Sequence, residues 1–373
     1  MPSPSDVIEA APLAAVASAR SADTVRRRAR RDRITVVALA AVVVLLALVA
    51  VGAGQLAVPI GRVVEILTHD AAALLGLDSG IPASWTRGEQ AAVSLIRAPR
   101  ALLAILVGAA LAVSGAVLQA LFRNPLVSPD VIGVSSAASF GGVLAIAVGA
   151  GGVALMSGAF VTGLLAALLV MLLGRLRTSS PVLTIVLGGI VVSAFFNALV
   201  SLVTYVADPY TTLPSITFWL MGSFVAATWD KVLLAAVPIA IGLIVVLALR
   251  WRINVLALGD DEALALGVRP ARLRGILIIA VSLLTAATVA VCGVIGWVGL
   301  VIPHLVRLVI GPDHRVLLPA SALLGGAYVL AVDTLARTVT TAELPVGILT
   351  AIIGAPVFVI VLVRRTREGR ALA

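Results

Sequence analysis

Between Ile34 and Gly54 the chain runs for 21 residues without one charged or amide side chain. A helix rises 1.5 Å per residue, so a run of about 20 apolar residues crosses the ~30 Å hydrocarbon core of a bilayer. The run is too long for the apolar region of a cleaved signal peptide, which is about 7–15 residues. Nine further apolar stretches follow, at about 100–121, 131–149, 152–173, 182–206, 232–249, 273–292, 295–310, 316–336 and 345–363. The pattern predicts an all-α polytopic membrane protein with about ten transmembrane helices. The third, fourth and eighth stretches are short or interrupted by glycine, and the eighth contains Pro303. Residues 213–229 are too short to span, and their Trp219 and Trp229 suit a membrane interface. Charged residues make up 12% of the chain and hydrophobic ones 61%. Soluble domains carry about 25% charged residues, so this composition excludes most soluble enzymes and nucleic-acid binders.

Residues 1–33 form a polar, basic tail, expected to be disordered and cytoplasmic. Residues 34–365 form one transmembrane domain with its longest inner loop at 250–274, and 366–373 form a cytoplasmic C-terminal tail. If the N-terminus is cytoplasmic and the spans alternate, the inner segments hold 21 of the 27 basic residues and 10 of the 18 acids. The net charge is then +11 inside and −2 outside, which satisfies the positive-inside rule. The overall +9 is therefore a sign of orientation, with both termini in the cytoplasm, and no nucleic-acid partner is needed to explain it. A faint repeat at an offset of 178 aligns Val113, Gly115, Pro125 and Val131–Gly133 with Val291, Gly293, Pro303 and Val309–Gly311. Another, at 166, relates Leu183–Gly188 to Leu349–Gly354. Duplicated halves are common in transporters.

The residues that are missing narrow the function. The single cysteine, Cys292, permits no internal disulfide or thiolate cluster. The three histidines, His69, His304 and His314, are too scattered for a metal site, so no metal and no cofactor is expected on this chain. The single lysine, Lys231, has no glycine-rich loop before it and cannot complete a P-loop. ATP hydrolysis, if used, belongs to another chain. Span interiors lack the acids and lysines with which carriers bind H⁺ or Na⁺, which argues against an ion-coupled secondary carrier. Asn197 is the main polar residue expected inside a span. Asp333 and Arg337 stand one turn apart and can neutralise each other. Gly133-Val134-Ser135 with His304 as base resembles an intramembrane serine protease only loosely, because the downstream glycine is missing.

Three loops carry specific residue choices. The inner turn Arg123-Asn124-Pro125-Leu126 leads through Pro129-Asp130 to Gly133 and is rigid by composition. In the inner loop, Asp260-Asp261-Glu262-Ala263-Leu264-Ala265-Leu266-Gly267 reads as a very short helix, with Asp260 able to cap its start and Gly267 its end. Leu264 and Leu266 are partly exposed on an otherwise polar loop. Such a rigid projection can receive motion from a soluble motor, or can be a surface helix and nothing more. On the outer face, Arg97, Arg100 and Arg337 run against the positive-inside trend. Guanidinium groups can hold the carboxylates of an acidic partner bidentately, or can snorkel to lipid headgroups.

Taken with Gly108–Gln119, Asn124-Pro125-Leu126, Gly299–His304, Gly311–Arg315, Asp333–Arg337, Glu343–Gly347 and Gly354–Pro356, these motifs resemble the FecCD/BtuC-type permease family over residues 34–365. The family comprises membrane subunits of ABC importers for iron–siderophores, haem and vitamin B12. The resemblance implies a BtuC-like permease fold of ten helices in the bacterial plasma membrane. It implies a non-catalytic subunit that works with a second permease, identical or paralogous, two cytosolic ABC ATPases and an extracytoplasmic substrate-binding protein. It assigns ATPase coupling to Asp260, Asp261, Glu262, Leu264, Leu266 and Gly267, and docking of the binding protein to Arg97, Arg100 and Arg337. It assigns the translocation path to Asn197, Gly293, Gly296, Trp297 and Gly299. Ferric siderophore is the expected cargo, with haem and vitamin B12 as alternatives. Three residues depart from the family pattern. Cys292 replaces a usual serine, Val294 a common proline and Asp130 a usual glycine. They bear on local path shape and on the inner turn.

Overall fold

The computed structural model describes residues 27, 30–174, 181–340 and 342–371, with no side-chain account of 181, 362 and 364–371. The N-terminal tail up to residue 26 lies outside the described residues. Among those described, seven helices are long and apolar enough to cross a membrane and three apolar ones are shorter, which matches the ten expected spans.

In chain order the helices are α1 (Arg30–Gly52), α2 (Ile60–Leu74) and α3 (Arg87–Leu121). Then come α4 (Val134–Ala147), α5 (Gly152–Leu173), α6 (Val182–Val206), α7 (Thr212–Leu220) and α8 (Trp229–Ala248). The inner loop supplies α9 (Arg250–Leu258) and α10 (Asp260–Ala265). The chain ends with α11 (Pro270–Cys292), α12 (Val298–Ile310), α13 (His314–Thr338) and α14 (Val346–Ala371).

Several boundaries differ from the sequence expectation. The stretch 131–149 is a 3₁₀ turn, Pro129–Ile132, followed by α4, with Gly133 between them at a φ of 83°. The stretch 295–310 does not begin as helix, because the backbone is irregular from Gly293, at a φ of 72°, to Gly296, and Trp297 takes a φ of 71° before α12 starts. The 366–373 tail is helical as far as Ala371. The α2 helix has no counterpart in the sequence reading. It is too short to span, and it buries Val63 and Ile66 against the bundle. At the offset of 178, Gly133 and Gly311 share a positive φ, but Gly115 lies inside a helix whereas Gly293 ends one.

Helix α3 opens with a π-turn at Ala91–Arg97. This wide turn comes just before Pro99, whose missing N–H would break a regular ladder. The helix forms the centre of the bundle: 83% of its most apolar window is buried, against 17% for α1. Its apolar surface gives no reason to prefer a neighbouring helix to lipid, so close contact depends on small residues. A Cβ on Gly108 would lie 2.2 Å from the Gly325 carbonyl oxygen of α13, and one on Gly115 would lie 1.7 Å from the Gly299 carbonyl oxygen of α12. Backbones therefore touch directly at two levels of α3. Gly115→Ala should force these helices apart and cost at least about 1–3 kcal/mol, the usual scale of overpacking. It should show as a lower thermal midpoint in detergent, whereas Gly296→Ala, which meets nothing within 4 Å, should leave the midpoint unchanged.

Candidate functional site

At the expected outer end, α1 stops at Gly52 and leaves its last carbonyls without helical donors. Two of the arginines singled out in the sequence satisfy them. Arg97 donates from Nη1 to the carbonyls of Val51 and Gly52, both at 3.1 Å, and from Nη2 to Leu56 at 2.7 Å. Arg337 donates to the carbonyls of Ala50 and Ala53. The Gly52 carbonyl also accepts from the Val58 N–H at 3.0 Å, and that of Val49 from Ala53 at 2.8 Å. The guanidinium charges also face the negative end of the helix dipole. Helix α1 buries little of itself, so these bonds fasten its end to α3 and α13.

Arg100 lies between two acids. Its Nε and Nη2 donate to Asp333, at 3.1 and 3.0 Å from Nε and 2.8 Å from Nη2. Its Nη1 donates to both Glu343 oxygens, at 3.1 and 2.8 Å. Asp333 is 1% exposed and Arg100 6%. Removing one partner of such a buried pair costs about 3–5 kcal/mol, because a bare charge is left inside. Asp333 and Arg337 do approach one turn apart, at 4.0 Å, but the closer partner of Asp333 is Arg100. The structure thus brings Arg97, Arg100 and Arg337 together and turns each guanidinium inward onto an acceptor within the chain.

The opposite end, expected to be the inner one, has its own anchors. Helix α3 closes with Arg123 at a φ of 48°. The Asn124 N–H bonds to the Gln119 carbonyl and that of Arg123 to Ala120, a termination that usually uses glycine. The arginine side chain gives a reason for this costly backbone: it donates to the Leu256 carbonyl at 3.2 Å and to Asp260 at 2.9 Å. Arg274 reaches the same carboxylate at 2.8 and 2.6 Å. Asp260 therefore does not cap α10 as expected; Gly259 holds that position. Instead it ties α10 to α3 and α11. Gly267, at a φ of 76°, closes α10 as expected, with its N–H on the Leu264 carbonyl and that of Val268 on Ala263. Asp261 and Glu262 are exposed, and Leu264 and Leu266 are 57% and 54% exposed. Earlier in the loop, on α9, Asn254 donates to Asp313, the residue that caps α13, at 2.7 Å.

The residues expected to line a path do not form one exposed surface in the chain alone. Asn197 is exposed on α6 rather than buried inside the bundle. Gly293 and Gly299 are buried and absorbed by packing: a Cβ on Gly293 would lie 2.1 Å from the Trp219 carbonyl oxygen, and one on Gly299 2.6 Å from Pro129. Gly296 and Trp297 are half-buried. Three interrupted segments meet beside them. The Ser223 N–H bonds to the Cys292 carbonyl at 2.8 Å, that of Val346 to Gly222 at 2.9 Å and that of Gly347 to Met221 at 3.1 Å. Irregular backbone at membrane depth is tolerated where it is buried in protein or lines a cavity.

Gln119 is a polar residue that the sequence reading quoted only within a motif. It is 3% exposed. Its amide donates to the carbonyls of Val127, Gly299 and Leu300, and its oxygen accepts from Arg307 at 3.1 Å. A lone amide in an apolar span was the available signal.

The bundle, its interrupted helices and its anchored inner helix define a multi-pass membrane permease. Residues 40–364 match the FecCD transport family. The chain is 42% identical to the molybdate import system permease protein MolB of Haemophilus influenzae, over 87% of this chain and 93% of that one. It is 41% identical to the cobalamin import system permease protein BtuC of Halobacterium salinarum, over 85% and 88%. A solved structure described as an inward-facing ABC transporter of metal-chelate type superposes with a TM-score of 0.77 at 40% identity, covering 88% of this chain and 98% of that one. The chain belongs to the FecCD transport family. It is an ABC importer permease, a non-catalytic membrane subunit that works with ATPase and substrate-binding partners.

The Asp260 anchor has a pH signature. The hydrogen bond from Arg274 is the largest influence on its carboxyl; partial burial opposes it, and the charges of Arg274 and Arg123 add to it. Together they hold the carboxyl below its ordinary value. A depressed folded value stabilises above the unfolded value of about 3.9 and is lost as pH falls through the folded one. Protection of the Gly267 and Val268 amides from exchange should hold from neutral pH down to about 4 and then fall. Asp260→Asn should lose protection several-fold already at neutral pH.

Proposed function

We propose that this permease carries ferric iron–siderophore complexes inward by alternating access, with ATP hydrolysed on two separate cytosolic subunits. The observation that carries the coupling part is α10. It is tied to α3 and α11 through Asp260 and still leaves Leu264 and Leu266 exposed, at the end we assign to the cytosol. A helix anchored at one end and apolar at its tip can transmit an ATPase movement to the bundle. The excess of basic residues at that end supports cytoplasmic termini. A second permease, identical or paralogous, completes the path, and an extracytoplasmic binding protein delivers the cargo. Acidic groups of that protein are received at the cluster of Arg97, Arg100 and Arg337.

If the five residues assigned to the path line it in the paired permease, their chemistry favours a chelate. Asn197, Gly293, Gly296, Trp297 and Gly299 carry no charge. A large complex that spreads its charge over many atoms loses less hydration along such a path than a compact dianion such as the molybdate in one relative's description. These five residues also offer no imidazole, thiolate or thioether to take an axial position on haem iron or on cobalt. A siderophore that already saturates its iron needs none.

The test is uptake into proteoliposomes holding the permease with its ATPase and binding protein. Radiolabelled ferric siderophore should accumulate with ATP, and excess haem, cobalamin or molybdate should not compete. Accumulation of one of those three instead would replace the cargo assignment. Buried leucines contribute about 1.5–3 kcal/mol each. Leu264→Asp/Leu266→Asp should therefore lower ATP-driven uptake by at least about tenfold at unchanged membrane insertion, and wild-type uptake in this variant would overturn the coupling assignment.

A further inference from the structure

We propose that Glu343 is an internal stand-in for a carboxylate of the extracytoplasmic binding protein, occupying the Nη1 edge of Arg100 until docking exchanges it. The inference rests on the docking role proposed above for the outer arginines, and it names the position at which an acidic partner engages them.

The two acids on Arg100 differ in accessibility. The Asp333 side chain is 2% exposed and cannot be replaced from solvent, whereas that of Glu343 is 36% exposed. Asp333 fixes the guanidinium plane through Nε and Nη2 and leaves Nη1 aimed at the segment before α14. Both oxygens of Glu343 meet that single nitrogen, so the contact lacks the two parallel bonds of a fork-on-fork pair. An incoming carboxylate can make the same contact without disturbing Asp333. The balance of charge favours such a visitor. Arg97, Arg100 and Arg337 face Asp333 and Glu343, so the cluster retains an excess positive charge even with both acids in place.

Exchange at Glu343 has consequences beyond the surface. Glu343 stands three residues before Val346, whose N–H is held by the Gly222 carbonyl, while the Gly347 N–H is held by Met221. The next residue after Gly222, Ser223, bonds to the Cys292 carbonyl. A Cβ on Gly222 would lie 2.3 Å from the Val294 carbonyl oxygen, and one on Gly347 2.9 Å from the same oxygen. Release of Glu343 therefore removes one tether from the chain that leads into α14 and packs against the irregular Gly293–Gly296 segment, leaving it held by the Leu344 N–H on the Ala336 carbonyl and by the bonds of Val346 and Gly347. Docking of the binding protein is thereby linked to the one region where helices are interrupted beside the proposed path.

The experiment measures docking of the binding protein that copurifies with the complex onto the permease–ATPase complex in lipid nanodiscs. A neutral amide competes weakly for Arg100, so Glu343→Gln should dock about tenfold more tightly than wild type. Glu343→Ala should gain similarly, and Glu343→Asp, which keeps the charge, should stay near wild type. Arg100→Gln should weaken docking and abolish the gain when combined with Glu343→Gln. Amide exchange at Val346 and Gly347 should rise in wild type when the binding protein is added, and should already be raised in Glu343→Gln without it. If Arg100→Gln weakens docking but Glu343→Gln and Glu343→Ala dock no more tightly than wild type, the stand-in is overturned and the docking site stands. If Arg100→Gln docks like wild type, the docking site itself falls. Unchanged exchange at Val346 and Gly347 on docking would overturn the link to the interrupted segment.

Discussion

The buried pair between Arg100 and Asp333 fixes the end of the bundle where α1 stops. In a medium without water, a charge inside a bundle persists only when it is paired and its remaining hydrogen-bonding capacity is used. Arg100 meets that condition with two carboxylates, and its neighbours Arg97 and Arg337 meet it with the terminal carbonyls of α1. The cluster therefore solves two problems at once. It neutralises charge at the edge of the bundle, and it caps a helix that has little other contact with the protein. A partner that engages these arginines engages the groups that hold α1, α3 and α13 together.

The inner end uses the same chemistry with the signs exchanged. One carboxylate, Asp260, is held by Arg123 and Arg274 from two different helices. The strained backbone at Arg123 persists because its side chain must reach both the Leu256 carbonyl and Asp260. An arginine at this helix end is a worse terminator than glycine and a better anchor. In the coupling proposed above, a push on Leu264 and Leu266 reaches α3 and α11 through the short charged contacts of Asp260.

The span count was legible in the sequence because uncharged runs of bilayer length have few other uses. Arg97, Arg100 and Arg337 were legible as a group because they are among the six basic residues that the positive-inside count leaves outside and because they sit in the motifs of the family. Their partners were not. Which acceptor an arginine finds depends on how helices far apart in sequence pack, and the carbonyls of Ala50 and Val51 carry no side-chain signal at all. Asp260 was read as a cap from its local position, and tertiary ion pairs prevailed over that local preference. The boundary after Cys292 was legible, but the start of the next helix at Val298 rather than at 295 was not, since apolarity records residence in the membrane and not the continuity of the helix. Asn197 was expected inside the bundle because it is polar, but in the single chain that face of α6 is exposed.

The two ends are mounted on the same helices. Helix α3 carries Arg97 and Arg100 at one end and Arg123 at the other, and α13 carries Asp333 and Arg337 at one end and the Asp313 cap at the other. Between them, Gly108 and Gly325 bring the two backbones into direct contact, and contact that close leaves no side chains to slide or repack. Helix α12 joins this unit where Gly115 meets Gly299 and where Gln119 holds the carbonyls of Gly299 and Leu300. A force applied at α10 and a contact made at Arg100 therefore act on one stiff body. This body adjoins the interrupted segments through contacts just as close, with Gly222 and Gly347 against the Val294 carbonyl. In the alternating access proposed above, the part free to change is the irregular backbone at Gly293–Trp297, which no helical ladder holds.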